Sequence, residues 1–195
     1  MVKTKIAVLV SGGGTNLQAL LDAQKAGKIP HGEIALVISN KEGAYALTRA
    51  ENSGVKHMVI TGKDFECRLQ EALVENGIQM IVLAGFMKIL SGEFTSKWPE
   101  RILNIHPALI PSFCGEGYYG LRVHEEALRY GVKVTGATVH FVNEVPDGGR
   151  IIAQKAVDIL DGDTPEILQR RVMEQAEWIL LPKAVEIVAE QLSTQ

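Results

Sequence analysis

The order of apolar runs and glycines along the first hundred residues most constrains the fold. The segment Lys5–Val10 is an apolar run that ends at Ser11-Gly12-Gly13-Gly14, which is typical of a parallel strand buried on both faces. Beyond Thr15, apolar residues recur at helical spacing until about Gly27. A strand, a glycine loop and a helix in this order form the first unit of an α/β fold.

The same alternation continues as far as residue 105. Further strands are predicted at 33–39, 56–60, 80–84 and 101–105, and further helices at 44–53 and 65–77. This order predicts an α/β fold with a doubly wound, mostly parallel sheet and helices on both faces, which is a Rossmann-type single domain.

The second half of the chain is less regular. A glycine-rich loop follows Pro107, and a helix is predicted at 121–130. Residues 132–142 and 151–157 flank an Asp-Gly-Gly turn, which predicts an antiparallel pair of strands and therefore a mixed sheet. A long C-terminal helix is predicted from Thr164-Pro165 onward. Pro182 lies inside this helix and is expected to kink or restart it.

Composition and charge exclude several classes of protein. A chain of 195 residues with 46% hydrophobic content suits one domain. The net charge is −3 and Lys and Arg are scattered, so no nucleic-acid partner is expected. The first apolar run is too short for a signal peptide or a membrane span, which favours a cytoplasmic protein without a membrane partner. Cys67 and Cys114 are expected to be reduced thiols. The protein is expected to be a monomer or a homodimer.

The loop from Ser11 to Asn16 predicts an anion site, because backbone amides at the positive end of a helix bind phosphate. A dinucleotide site would have a third glycine in place of Leu17 and an acidic residue near Ser39. A triphosphate loop would have Lys after Gly14. A monophosphate is therefore the favoured ligand, and a tight strand-to-helix turn without a ligand is the alternative.

Three polar residues predict acyl-transfer chemistry. Asn104 and His106 lie two residues apart at the end of the fifth strand, so one cleft receives both side chains. Asp147 lies between Pro146 and two glycines, where a turn is expected. An amide, an imidazole and a carboxylate together can stabilise a negative oxygen and move a proton. A lone His before Pro would be an ordinary loop residue.

Other chemistries are less well supported by the pattern. His124 and His140 could join His106 around a metal, but their spacing matches no short ligand motif, so no metal is expected. His140 is expected to pack near the site as support. Cys114 has no acid or base placed for it in the sequence, which favours an incidental thiol over a nucleophile.

Several ordered motifs resemble the folate-dependent formyltransferase family. They are the glycine loop, Leu83–Leu90, Asn104–Pro111 and the segment from Val139 to Gly149. The resemblance spans nearly the whole chain and implies a single formyltransferase domain. It has a phosphate-binding half to about residue 103 and a catalytic and folate-binding half from about residue 104. The glycine loop favours the purine-pathway members, which formylate the amine of glycinamide ribonucleotide in de novo purine (IMP) biosynthesis with 10-formyltetrahydrofolate.

The resemblance also implies roles for residues at matching positions. The substrate phosphate would be held by Gly14, Thr15 and Asn16, and the ribose or glycinamide part by Glu174, Gln175, Ala176 and Glu177. The folate site would be formed by Lys63, Met87, Lys88, Ile89, Leu90, Asn104, Asn143, Glu144, Val145, Pro146 and Asp147. The family's folate-side arginine has no clear counterpart, and Lys63 or Arg68 is the candidate replacement. The loop 112–120 is longer than the short Pro-Gly turn of other members.

The implied reaction is direct formyl transfer through a tetrahedral intermediate, without a metal or a covalent enzyme intermediate. Asn104 and a protonated His106 would donate to the negative oxygen, and Asp147 would raise the pKa of His106. Two alternatives stay open at this point: hydrolysis of formyltetrahydrofolate, with water in place of the amine, and a non-catalytic module that binds a phosphorylated sugar.

Overall fold

A seven-stranded mixed sheet forms the centre of the protein, whose computed structural model describes residues 2–194. The strands are β1 (Thr4–Val10), β2 (Gly32–Ser39), β3 (His57–Val59), β4 (Met80–Leu83), β5 (Ile102–His106), β6 (Val134–Phe141) and β7 (Ile151–Asp158). Their order in the sheet is β3-β2-β1-β4-β5-β6-β7. The first five run parallel, whereas β6 is antiparallel to both β5 and β7. The predicted mixed, mostly parallel sheet is confirmed.

The helices lie on both faces of this sheet. They are α1 (Thr15–Lys25), α2 (Tyr45–Asn52), α3 (Phe65–Glu75), α4 (Gly92–Thr95), α5 (Leu121–Tyr130), α6 (Pro165–Val172) and α7 (Trp178–Ser193), with a π-helical turn at Met173–Glu177. The one-turn helix α4 is too short to leave a periodic pattern, and it was not predicted. Within the described residues, no helix is both long and apolar enough to cross a membrane.

The C-terminal helix departs from its prediction in one respect. Thr164 caps it as expected, because its side chain accepts a hydrogen bond from Ile167 N. The prediction that the helix restarts at Pro182 is wrong, since Pro182 lies inside α7 and the departure from α geometry is the π turn before it. The donor that Pro182 lacks would have bonded to the carbonyl of Trp178, the first residue of α7, so the lost bond falls next to the π turn.

Two apolar layers cover the sheet. Successive residues of β1 contribute to opposite layers: Ile6, Val8 and Val10 to one, Ala7 and Leu9 to the other. The first layer is completed by α1, α2, α6 and α7, and the second by α3 and α4. Burial on both faces explains why the strands are continuous apolar runs in the sequence.

The strand order reverses between β1 and β4, where a crevice forms at the carboxyl ends of the strands. Ser11, just after β1, ties the edges of this crevice together. Its Oγ accepts a hydrogen bond from Met87 N at 2.8 Å, after β4, and donates to Asn40 Oδ1 at 2.7 Å, after β2. The loops that follow three strands are therefore held at one place.

Replacing Gly14 by Ala should destabilise the fold far more than replacing Gly12. Gly14 has φ 71°, and a Cβ there would lie 2.6 Å from Ala46 Cβ, whereas a Cβ at Gly12 would meet no atom within 4 Å. We expect Gly14→Ala to lower the free energy of unfolding by about 2 kcal/mol or more, and Gly12→Ala by less than about 1 kcal/mol. Urea unfolding followed by circular dichroism measures both, and equal losses would contradict the packing argument.

Candidate active site

Three distant segments converge on the carboxylate of Asp147, which lies in the turn between β6 and β7 with φ 55°. Its Oδ1 is 3.4 Å from both Asn104 Nδ2 and His140 Nε2. Its Oδ2 is 3.5 Å from His106 Nδ1 and accepts a hydrogen bond from Gly115 N at 2.9 Å. The structure thus brings together the amide, imidazole and carboxylate that the sequence analysis selected.

The register of β5 and β6 produces this convergence. Asn104 and His106 are two residues apart on β5 and therefore share one face. Their antiparallel partners on β6 are His140 and Thr138. Thr138 Oγ1 donates to Ala108 O at 2.7 Å and so holds the chain just after His106. The Ile110–Pro111 peptide bond in this segment is cis.

His140 orients the amide of Asn104. Its Nδ1 lies 2.7 Å from the carbonyl of Phe141, which can only accept, so Nδ1 carries the hydrogen. Asn104 Nδ2 lies 3.2 Å from His140 Nε2. In this geometry the two amide hydrogens of Asn104 are directed at His140 and Asp147. Sequence analysis expected His140 to support the site by packing, and it also supplies a hydrogen-bond acceptor.

His106 is buried between two acceptors. Its Nε2 lies 2.8 Å from Phe113 O, and its Nδ1 faces Asp147. Burial lowers the pKa of His106 below 6.5, although Asp147 and the Phe113 carbonyl act in the opposite direction. Asp147 acts on this pKa in the expected upward direction, but desolvation of the imidazolium is the largest contribution and makes the net shift downward.

The carboxyl of Asp147 is held in its ionised form. Burial raises its pKa, but His140, His106 and the Gly115 amide, which face its oxygens, together lower it more, so the net pKa lies below its ordinary value. An ionised Asp147 beside a neutral His106 leaves the pair ready to take up one proton.

The loop 112–120 contributes backbone groups to this centre. Phe113 O faces His106 and Gly115 N faces Asp147, and Phe113 has φ 49°. The Phe113 ring packs edge-on against Tyr130, with centroids 6.0 Å apart, which ties the loop to the end of α5. The contacts of Phe113 O and Gly115 N could not be predicted from the sequence, because backbone groups leave no residue-type signal.

His124 of α5 is also close to the centre. It is completely buried, and neither ring nitrogen has a hydrogen-bond partner within the part of the chain that the structure describes. Burial, with a smaller contribution from His106, lowers its pKa to about 4, so its ring is uncharged at neutral pH. Between residues 2 and 194, no group of three or more His, Cys, Asp or Glu side chains could hold a metal ion.

The glycine loop opens at the other end of the crevice. Gly12 and Gly13 are exposed, and Gly14 has left-handed backbone immediately before α1. Thr15 Oγ1 lies 3.7 Å from Met173 Sδ in the π turn. Arg49 of α2, which sequence analysis did not select, donates from Nε to Gly13 O at 2.8 Å.

A buried carboxyl lies beside this loop. Glu177 Oε2 accepts a hydrogen bond from Asn16 Nδ2 at 2.7 Å, and Asn16 Oδ1 is buried without a partner among the described residues. Burial raises the pKa of Glu177 to about 6, against the effect of Asn16. The rest of the segment behaves differently: Glu174 pairs with Arg170 at the surface, Gln175 is exposed, and Ala176 is a core residue.

The two segments assigned to folate lie next to each other. A Cβ added at Gly92, just beyond Met87–Leu90, would lie 3.2 Å from the Cβ of Glu144 in the segment 143–147. Exposed apolar side chains occur on both segments, at Met87, Ile89 and Val145. Lys88 Nζ lies 4.5 Å from the centroid of the Phe65 ring.

The replacement for the folate-side arginine stays a prediction. Lys63 is exposed. Arg68 on α3 donates to Thr61 O, in the segment before that helix, at 3.1 Å.

Comparison with known proteins places the chain in a family. Residues 4–185 match the family model described as formyl transferase. The chain belongs to the formyl transferase family. Its seven-stranded architecture is therefore that of a formyl transferase domain.

Several named proteins are similar to almost the whole of this chain. The chain is 47% identical over 193 residues to the trifunctional purine biosynthetic protein adenosine-3 of Gallus gallus, covering 96% of this chain and 18% of that protein. It is 42% identical to the phosphoribosylglycinamide formyltransferase of Haemophilus influenzae, covering 95% and 87%. The crystal structure of glycinamide ribonucleotide transformylase 1 from Symbiobacterium toebii superposes with a TM-score of 0.89 at 42% identity, covering 97% and 89%. The chain spans less than a fifth of its trifunctional relative.

Replacing Glu177 by Gln should stabilise this formyl transferase in a pH-dependent way. The pKa of Glu177 is raised from 4.5 to about 6, so the folded state holds the proton more tightly than the unfolded chain. The penalty for ionisation is absent below pH 4.5, grows between 4.5 and 6, and is complete above 6, where it amounts to about 2 kcal/mol. Urea unfolding from pH 4 to 8 should show the variant and the parent diverging as pH rises; a pH-independent difference would contradict the assignment.

Proposed function

We propose that this formyl transferase moves the formyl group of 10-formyltetrahydrofolate to the amine of glycinamide ribonucleotide. The observation that carries the proposal is the convergence of Asn104, His106 and His140 on one ionised carboxylate, Asp147. The names of relatives that match nearly the whole chain support the same reaction. Its partners are then small molecules, a phosphorylated amine and a reduced folate.

The acceptor substrate would lie along the crevice between the glycine loop and Asp147. Its phosphate meets the open backbone of Gly14 and Thr15 at the amino end of α1. Among the described residues, Asn16 Oδ1 is a buried acceptor without a donor, and Glu177 is a buried carboxyl whose pKa is raised. Ribose hydroxyls can donate a hydrogen bond to each of these two groups.

The formyl donor would approach from the opposite side of the crevice. Met87 and Ile89 on one segment and Val145 on the other offer apolar surface to a flat ring. Backbone groups of segment 143–147 would contact the ring edge. We assign phosphate binding to the half of the domain up to about residue 103, and chemistry and folate binding to the remainder.

Transfer proceeds by attack of the amine nitrogen on the formyl carbon. A new carbon–nitrogen bond forms, and the electron pair of the carbonyl moves to its oxygen. The attacking nitrogen loses a proton, and the folate nitrogen gains one as its bond to the formyl carbon breaks. Each proton is conserved, and no oxidant or reductant is consumed.

His106 is suited to carry this proton between the two nitrogens. Its pKa is held below 6.5 in the free site, so its neutral form can accept a proton at neutral pH. The resulting imidazolium would lie between Asp147 and the negative oxygen, which favour the charged ring. For Nε2 to reach the substrate, its contact with Phe113 O must be exchanged for one with the formyl oxygen.

Asn104 would provide the second hydrogen bond to that oxygen. Both of its amide hydrogens are engaged, at 3.2 Å to His140 and at 3.4 Å to Asp147. The contact at 3.4 Å is the weaker of the two. A negative oxygen in the cleft would therefore compete for the hydrogen that points toward Asp147.

His106→Ala and Asp147→Ala should each abolish most turnover. Loss of a positioned acid–base group typically costs about 10² to 10⁴ in rate, so we expect kcat to fall by about a hundredfold or more. Steady-state kinetics with glycinamide ribonucleotide and 10-formyltetrahydrofolate measures the loss. The exposed residues His57 and Asp161 provide matched controls, and His57→Ala and Asp161→Ala should keep full activity. Full activity in either site variant would contradict the assigned role.

A test of the acceptor separates transfer from hydrolysis. Incubation of 10-formyltetrahydrofolate with the protein should release little formate alone and produce formylated amine rapidly when glycinamide ribonucleotide is added. Chromatography of both products measures the partition. Rapid formate release that does not depend on the amine would overturn the transferase proposal in favour of a hydrolase, and binding of both ligands without either product would indicate a non-catalytic module.

A further inference from the structure

Helix α2 donates two hydrogen bonds to the glycine loop. Ala46 N donates to Gly12 O at 3.0 Å, and Arg49 Nε donates to Gly13 O at 2.8 Å. Two consecutive carbonyls of the loop therefore point toward α2. This contact joins the second strand–helix unit of the chain to the loop of the first.

Because the peptide group is planar, these contacts also fix the direction of the N–H groups on the opposite side of the loop. In a trans peptide the carbonyl of one residue and the N–H of the next point in opposite directions. Because the carbonyls of Gly12 and Gly13 face α2, the N–H groups of Gly13 and Gly14 face away from it. Neither N–H has an acceptor within residues 2–194. Adjacent amides that point to one side, followed by a left-handed residue, form an anion-binding nest.

Arg49 is itself fixed in three ways. Besides Gly13 O, it donates from Nη1 to Gln18 Oε1 at 3.0 Å, and its guanidinium lies 5.0 Å from the centroid of the Tyr45 ring. Over the described part of the chain it forms no ion pair with a carboxylate. A positive charge therefore lies directly behind the nest, and no carboxylate of the described residues is within ion-pair distance of it.

We infer that Arg49 is a positioning residue for the phosphate of the acceptor substrate. It pins the Gly13 carbonyl, so that the following N–H is already directed at the phosphate before the ligand binds, and it adds a positive charge to the field at the nest. The assignment of this anion as the substrate phosphate rests on the proposed function. The anion site itself rests on the hydrogen bonds of the loop.

Two variants of Arg49 separate its charge from its geometry. Arg49→Met keeps the aliphatic stem over Tyr45 and removes both hydrogen bonds and the charge. Arg49→Lys keeps the charge and can donate to Gly13 O, but its single ammonium lacks the planar fork of the guanidinium. The matched control is Arg129→Met, since Arg129 is an exposed arginine that pairs with Glu126 on α5, away from the loop.

Binding of ribose 5-phosphate and of inorganic phosphate, measured by calorimetry, is the first readout. We expect Arg49→Met to weaken both by about tenfold or more, Arg49→Lys to recover part of this loss, and Arg129→Met to change neither. Binding of 10-formyltetrahydrofolate should be unaffected. These measurements need no turnover, so a wild-type protein that binds phosphate but does not formylate would refute the proposed function and leave the role of Arg49 intact.

Kinetics with and without the substrate phosphate is the second readout. For Arg49→Met, KM for glycinamide ribonucleotide should rise about tenfold or more with kcat nearly unchanged. With glycinamide riboside, which lacks the phosphate, wild type and variant should have the same kcat/KM. Equal losses with both substrates, or unchanged phosphate binding in Arg49→Met, would overturn the proposal and assign Arg49 to the stability of the fold alone.

Discussion

An ionised carboxylate in a mostly buried position is the interaction on which the site depends. Asp147 reaches this position through a left-handed turn residue, and its low pKa comes from groups on β5, β6 and the loop 112–120. The side chains from β5 and β6 would no longer meet on one face if their antiparallel register moved by one residue, because a one-residue shift turns side chains to the opposite face. The pairing of β5 with β6 therefore determines both the antiparallel part of the sheet and the position of the site residues.

Much of the fold and part of the site follow from local signals in the sequence. Glycines and apolar periods located the strands and most helices to within a few residues, because the core needs apolar residues at those spacings. Asn104 and His106 could be placed together because they are two residues apart at a strand end, and Asp147 because Pro and Gly flank it. These inferences need no knowledge of tertiary contacts.

The remainder of the site depends on tertiary contacts that have no local pattern. The sign of the His106 pKa shift is decided by burial, which is a property of the whole fold and outweighs the neighbouring Asp147. The carbonyl of Phe113 and the amide of Gly115 could come from any residue types. Arg49 is on α2, whereas the loop that it contacts precedes α1. Glu177, which accepts a hydrogen bond from Asn16, lies in a π turn, and no local pattern predicted that turn.

The pKa values of two carboxyls in the same crevice are shifted in opposite directions. This contrast distinguishes two charge environments along the crevice. Asp147 accepts hydrogen bonds from several donors and stays ionised, whereas Glu177 has one neutral amide as its partner and a pKa raised to about 6. A carboxyl with few donors becomes fully ionised when a ligand brings a positive group, so binding there is strengthened by the charge of the ligand. A carboxylate that is already satisfied gains less from a ligand cation and instead stabilises positive charge that forms on His106 during a reaction. The crevice therefore carries a carboxyl whose charge can change with its ligand, at Glu177, and a fixed negative charge, at Asp147.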